Sequence, residues 1–241
     1  MIFRSEGHHW WYLGMRSISR ALIRRMVRPT SSLRILDAGC GTGGNMASFL
    51  SGYGEVYGCD ISSLALGFCR KRHLRRLAQA SVEAIPFAAC SFDLVASFDV
   101  LYEQAVEDDA RALRELARVL VPGGYVLLRL PAYDWLRGGH DRIIHTARRY
   151  TAGRVRRLME GAGLQVRTLS YANMLLFLPA LVKRGAERFF PSRPARSDLE
   201  LRLGPFDGLL RLVLSLEAPS IARWGLPFGL SVVALGQKVG P

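Results

Sequence analysis

The chain has 241 residues, 49% of them hydrophobic, with 33 Lys and Arg against 20 Asp and Glu, a net charge of +13. That is enough apolar material for one sizeable domain or a domain plus a cap, and the composition excludes a largely disordered chain. Met174 to Val182, the longest apolar stretch, is under half of what a bilayer span needs. The opening MIFRSEGHHWWY carries charge and histidine ahead of any apolar run, unlike a secretory leader, so a cytoplasmic protein is expected. The basic residues cluster at 16–28, 70–76, 148–157 and 183–196 without the interleaved aromatics of a single-strand stacking platform, so a nucleic-acid partner is not favoured. Cys40, Cys59, Cys69 and Cys90 form no C-x-x-C pair and have no histidine at finger spacing; reduced thiols and no metal are expected.

In chain order, Ile18, Leu22, Ile23 and Met26 recur at helical spacing over 17–28, and Pro29 ends that helix. Leu33 to Leu36 is a short strand closing on Asp37, followed by a glycine-dense turn and a helix from Gly44 to Leu50. Residues 55–60 make a second strand and 64–78 a second helix. Phe92 to Phe98 is a strand. Over 107–120, Ala110, Leu113, Leu116, Ala117 and Leu120 share one helical face. Pro122-Gly123-Gly124 stops it, and 125–130 is the next strand. A helix near 151–162, a strand over 164–171, an amphipathic helix near 206–217 and a last strand over 230–238 complete the chain. Strands alternating with helices predict a doubly wound, mostly parallel α/β sheet with ligands at the strand C-termini. The expected organisation is an N-terminal helical lid over 1–30, a core over 31–170 and 227–241, and a helical insertion over 171–226. That insertion reads equally as a completion of the fold or a substrate cap, and a dimer element is a further reading.

Ile35-Leu36-Asp37-Ala38-Gly39-Cys40-Gly41-Thr42-Gly43-Gly44 is the informative stretch. Its glycines let the backbone turn sharply and approach a ligand. Gly39, Gly41 and Gly44 satisfy G-x-G-x-x-G, so a dinucleotide fold and a nicotinamide-dependent oxidoreductase enter as alternatives. Asp60, at the end of the second strand, can accept both hydroxyls of a ribose in either case. Asp37 separates the two readings, because an acid directly before the glycines repels a pyrophosphate but suits an amine and a sulfonium.

ILDAGCGTG followed in order by VYGCDIS, EAIPFAACSFDLV and RELARVLVPGGYVLL resembles the class I S-adenosylmethionine-dependent methyltransferases. The likeness extends through LPAYDWL, HDRIIHTARRYT and LPFGLSVVALGQK, and HHWWYLGMR resembles the entry segment of a type 11/12-like branch of bacterial small-molecule enzymes. It implies a Rossmann-like, seven-stranded sheet and S-adenosylmethionine as cofactor. It also implies that Asp37, Gly39, Gly41 and the backbone of Cys40 line the methionyl end, that Asp60 holds the ribose and that Ile61 packs on the adenine. Ser81 and Val82 stand at the adenine edge, where the family pattern has an acid before a small residue, so a hydroxyl or Glu83 has to serve. Asp99 joins the cofactor set. Tyr102-Glu103 stand where the family often has Glu-His, which moves a carboxylate by one position.

The implied reaction is an in-line displacement at a sulfonium carbon, with oxygen the favoured acceptor atom and nitrogen or carbon next. A base is needed only for some acceptors; His145, His140 and Asp141 are the candidates. Trp11 and Tyr12 belong to an aromatic cluster that either packs the first helix or forms a lid over the cofactor, with Arg16 reaching a carboxylate. Arg149 and Tyr150 either cap the helix from Thr151 or bind an anionic acceptor. The expected partner is a small molecule, anionic or hydrophobic, met by a monomer or homodimer; Met174 to Leu178 beside Lys183, Arg184 and Arg188 permit peripheral contact with the inner membrane surface. The charge keeps a tRNA methyltransferase as an alternative, and the two departures keep a non-catalytic cofactor-binding protein.

Overall fold

A computed structural model describes residues 3, 6–26, 33–138, 141, 146–189, 204 and 207–240. In chain order the elements are α1 (Trp10–Met26), β1 (Leu33–Ala38), α2 (Gly44–Ser48), β2 (Gly54–Asp60), α3 (Ser63–Lys71), β3 (Leu77–Gln79), β4 (Phe92–Phe98), α4 (Asp109–Val119), β5 (Leu120–Pro131), α5 (Ala152–Gly161), β6 (Leu164–Ala172), α6 (Phe177–Phe189), α7 (Asp207–Arg223) and β7 (Ser231–Lys238). The seven strands form one sheet in the order β3-β2-β1-β4-β5-β7-β6. β1, β2, β3, β4 and β5 are parallel, whereas β7 runs antiparallel between β5 and β6. The Rossmann-like, seven-stranded, mostly parallel sheet is thus the observed architecture.

Period-two alternation distributes the core. Leu36, Ala38 and Val95 face a layer built by Ala112, Leu113 and Leu116 of α4 with Val155 and Met159 of α5. Ile35, Leu94 and Ala96 face the opposite layer, built by Met15, Ile18 and Leu22 of α1 with Ala218 and Ile221 of α7. Within the 171–226 insertion, α7 is therefore part of a core layer. Side chains mark the helix starts: Asp108 accepts from the N–H groups of Ala110 and Arg111 at 2.9 and 3.0 Å, and Ser62 from that of Ala65 at 3.2 Å.

The structure departs from the sequence reading in several places. The α3 helix stops at Lys71, His73 turns with φ 62°, and 77–79 pair with β2 as an edge strand. Leu74 and Leu77 continue a helical period, so periodicity alone extends the helix through them. The aromatic cluster is the first turn of α1 and does not precede it, since His9 Nδ1 accepts from the Trp11 N–H at 3.3 Å. β5 begins at Leu120, ahead of Pro122-Gly123-Gly124, with an irregularity in its register against β4. α7 extends to Arg223, with Pro219 inside it.

α1 and α7 approach closely at Gly14, where an added Cβ would stand 2.6 Å from Cβ and 2.7 Å from Cδ1 of Leu214. Gly14→Val is expected to destabilise the protein by about 1–3 kcal/mol, the usual cost of overpacking a tight contact. A chemical-denaturation midpoint equal to wild type would show that the two helices separate freely.

Candidate cofactor and acceptor site

The strands β1, β2, β4 and β5 deliver their C-terminal residues to one edge, and the candidate site is built there. After β1 the chain turns through Gly39 (φ 79°) and Gly41 (φ 54°). Gly39 is required twice over, by its left-handed backbone and because a Cβ there would strike the side chain of Val100. At Gly41 an added Cβ would meet nothing within 4 Å, so the loop backbone borders open space. The turn is tied down by the next strand: the N–H groups of Gly39 and Cys40 donate to the Cys59 carbonyl at 2.8 and 2.9 Å. Asp60 completes the tie, with Oδ2 accepting from the Gly41 N–H at 2.8 Å and Oδ1 from the Ser62 N–H at 2.9 Å. Cys40 is buried, its Sγ 4.0 Å from that of Cys69, and Cys69 Sγ donates to the Gly41 carbonyl at 3.2 Å.

Asp37 is 1% exposed and its Oδ2 has no hydrogen-bond partner. Burial pushes its carboxyl up to about 7, against the pull of Arg129 and with a further push from Asp60. A buried carboxyl with an unused oxygen, next to an open loop of glycine backbone, fits a ligand bearing a cationic amine.

Arg129 is the centre of the site's electrostatics and was not singled out in the sequence. It is 4% exposed and donates to Asp99 Oδ2 through Nε at 2.8 Å and Nη2 at 2.6 Å. Its guanidinium lies 4.9 Å from the ring centroids of both Trp11 and Phe98. Its signal was a lone charge in the apolar strand YVLLRL, which has to be paired if the strand is buried. Asp99 itself sits at φ 59° and donates its N–H to the Arg129 carbonyl at 2.9 Å.

Glu6 is the second residue missed, and its only signal was a position shortly before the aromatic cluster. Its buried carboxylate accepts from the Thr42 hydroxyl at 2.5 Å and from Arg72, so the N-terminal segment is fastened to the glycine turn. Arg16 of α1 is buried, with Nε 3.4 Å from Asn45 Oδ1; burial lowers its pKa, while Glu6 works the other way. Trp11 is half-buried, and the Tyr12 phenol is pushed up to about 12 by burial and the charge of Asp99.

At the adenine edge, Ile61 is 53% exposed beyond β2, Val82 is buried, and Ser81 Oγ accepts from the Glu83 N–H at 3.2 Å. Glu83 does not serve there: its carboxylate accepts from the N–H groups of Glu107 and Asp108 at 3.1 and 2.9 Å. On the acceptor side, Tyr102 is buried in the core, and Glu103 is pushed up to about 7 by burial and then by Asp60 and Asp99.

Three expectations past β5 are corrected. Asp141 is buried and pairs with Arg149 at 2.8 and 3.1 Å, and it also accepts from the Gly138 N–H at 2.8 Å. Burial raises its pKa, but the Arg149 pairing and the Gly138 bond outweigh that and hold the carboxyl below the usual range, so it is a paired carboxylate and not a free base. Arg149 spends its remaining reach on the Ala132 carbonyl at 2.9 Å, so it is not available to an anionic acceptor. Tyr150 is fully buried, donating to the Leu101 carbonyl at 2.8 Å with Asp109 Oδ2 at 3.0 Å, and belongs to the core. His140 and His145 lie outside the described residues. Among the described residues no group of three or more His, Cys, Asp or Glu could hold a metal ion.

The profile of the family described as "Methyltransferase domain" matches residues 36–128, the span from β1 through β5 that carries this geometry. Residues 36–128 are a methyltransferase domain. Among curated relatives, a malonyl-[acyl-carrier protein] O-methyltransferase of Enterobacter lignolyticus is 37% identical over 110 residues, 43% of this chain and 41% of that protein. A fatty-acid O-methyltransferase of Mycolicibacterium smegmatis is 36% identical over 109 residues, 42% and 39% of the two chains. A second malonyl-[acyl-carrier protein] O-methyltransferase, from Halorhodospira halophila, is 32% identical over 183 residues, 67% and 60%. The matches thus span less than two thirds of each relative. The fold of the methyltransferase domain recurs in an S-adenosylmethionine-dependent methyltransferase from Mesorhizobium loti, with TM-score 0.58, 18% identity and coverage of 93% and 99%. It recurs equally in the [4+2]-cyclase SpnF, with TM-score 0.59, 19% identity and coverage of 93% and 82%. Fold alone therefore does not select the reaction.

Proposed function

We propose that the protein transfers a methyl group from S-adenosylmethionine to an oxygen of a small-molecule acceptor. The observation that carries this reading is the unpartnered Asp37 carboxyl beside a glycine turn clamped by Asp60. Asp37, Gly39, Gly41 and the Cys40 backbone would hold the methionyl end, with Arg16 toward its carboxylate. Asp60 would take the ribose, Ile61 and Val82 the adenine faces, and Ser81 the adenine edge, with Asp99 closing the site from β4. When bound, the cofactor supplies a methyl group on a positively charged sulfur with a neutral leaving group. The residues of this chain then have to exclude water, align the acceptor and, for a hydroxyl, take its proton. Trp11 and Tyr12 would flank the acceptor.

Glu103 suits the proton-taking role among the described residues, because a carboxyl near 7 is half ionised at neutral pH. The three O-methyltransferase relatives named above support oxygen as the acceptor atom. A hydrophobic acceptor met at a membrane surface is supported by the exposed Leu178 and Leu181 on α6.

The deciding experiment titrates S-adenosylhomocysteine and, separately, NADH into the protein, then assays methyl transfer to matched hydroxyl and carboxyl acceptors. Homocysteine-analogue binding without NADH binding, and hydroxyl turnover reduced at least tenfold in Glu103→Gln, are expected. Binding of NADH alone would replace the reading with an oxidoreductase, and transfer to carboxylates unaffected by Glu103→Gln would remove the base.

The Asp37 carboxyl yields a pH prediction. Its pKa is raised on folding, so its contribution to stability is complete below about 4 and is lost as pH rises toward about 7. A cationic ligand favours the ionised form, so binding below pH 7 has to release a proton. S-adenosylhomocysteine affinity is expected to rise by up to about tenfold per pH unit between pH 5.5 and 7 and then level off. Calorimetry in buffers of different ionisation enthalpy reads the proton release. Asp37→Asn should abolish both the slope and the release, and a slope that survives in it would assign the titration elsewhere.

A further inference from the structure

The outer surface of the α1–α7 pair combines two features that rarely meet on a face left to water. Along α7, Leu209, Leu212 and Leu216 are 55%, 54% and 63% exposed at a three-four spacing, while Leu214, Ala218 and Ile221 form the buried stripe. At the C-terminal end of the same helix Trp224 is 81% exposed. Such a row of apolar groups marks a contact surface.

Among the described residues the charge around the row is mostly basic. Arg211 and Arg223 are exposed on α7, and Arg24 and Arg25 are exposed on α1, which packs against it. α1 contains no acidic residue, Glu217 of α7 is buried, and Asp207 is half-buried at the far N-terminal end. Leucines flanked by arginines, with an indole at the helix end, are the composition of a helix lying in a bilayer interface.

We propose that the α1–α7 face docks on an anionic lipid bilayer. The leucine row enters the boundary between headgroups and acyl chains, and the arginines meet lipid phosphates. A second copy fits less well, because a two-fold pairing of this face would set arginines of one chain against arginines of the other. A nucleic acid would use the arginines and leave the leucines in water. No helix of the described residues is long and apolar enough to cross a membrane, so the contact is with the surface. The proposal is independent of methyl transfer.

The test is co-sedimentation of the full chain with vesicles of phosphatidylcholine alone or mixed with phosphatidylglycerol. Binding is expected to the anionic vesicles, to fall in high salt, and to weaken at least tenfold in both Leu212→Glu/Leu216→Glu and Arg24→Gln/Arg25→Gln. Thermal melts matching wild type would show that these exposed substitutions leave the fold intact. As an independent readout, Trp224 should give a blue-shifted emission with anionic vesicles that is absent in Trp224→Phe. Failure to pellet with anionic vesicles, or binding indifferent to the leucine variant, overturns the proposal. So does a vesicle-free dimer in sedimentation velocity that the leucine variant dissociates, or tRNA binding that depends on the arginines alone.

Discussion

Asp60→Ala is expected to weaken S-adenosylhomocysteine binding by at least 100-fold, about 2.7 kcal/mol, while the protein stays folded. One carboxylate performs two duties. Its Oδ2 holds the Gly41 N–H and its Oδ1 the Ser62 N–H, which sets the left-handed glycine turn against the end of β2. Its position at the second strand's end also makes it the acceptor proposed for the ribose hydroxyls. Alanine removes both, so the loop loses its register and the ligand its anchor. Asparagine keeps one acceptor oxygen for a backbone N–H and should fall between wild type and alanine. Calorimetric titration of the three proteins, with thermal melts as controls, makes the comparison. Wild-type affinity in Asp60→Ala would separate this residue from the ligand altogether. Lost affinity with a collapsed melt would mean that the turn supports the fold more than the site.

The glycine turn, Asp37 and Asp60 were legible in the sequence because their chemistry is local. A backbone that must turn with positive φ requires glycine, and a carboxylate at a strand end has few neighbours that alter its meaning. Other features depended on tertiary partners. Arg149 and Asp141 look like binding and catalytic groups until they are seen to satisfy each other. Tyr150 looks like part of a basic surface stretch, yet its hydroxyl bonds Leu101 and Asp109 in the core. The edge strand β3 was hidden because three residues pairing with β2 outweigh a helical period that continues only on paper. The 171–226 segment read as an insertion, but Glu217 shows how it is built in: its buried carboxylate accepts from the N–H groups of Asn173 and Leu175 at 2.7 and 3.1 Å, joining α7 to the end of β6. No single-element pattern encodes that contact.

Arg129→Met should have the largest effect on stability, about 3–5 kcal/mol, because it leaves the Asp99 carboxylate without its partner at a partly buried position. For a chain of this size such a loss lowers the melting temperature by about 6–20 °C. Methionine retains much of the arginine's length against Trp11 and Phe98, so packing loss contributes less than the lost charge pairing. The same substitution reaches the cofactor pocket. Among the described residues Arg129 is the cation that holds the buried Asp37 carboxyl down, so without it Asp37 rises above about 7 and the pH at which ligand affinity levels off moves upward with it. Asp99→Asn separates the two effects, since it removes the orphaned charge and should recover stability in the double variant without restoring the Asp37 titration. A double-mutant cycle on the melts, read beside the pH dependence of S-adenosylhomocysteine binding, measures both. If Arg129→Met melts with wild type, the pair contributes nothing net to folding. If affinity levels off at an unchanged pH, Asp37 is governed by burial alone, and Arg129 serves to hold Trp11 and Asp99 in place over the ends of β4 and β5.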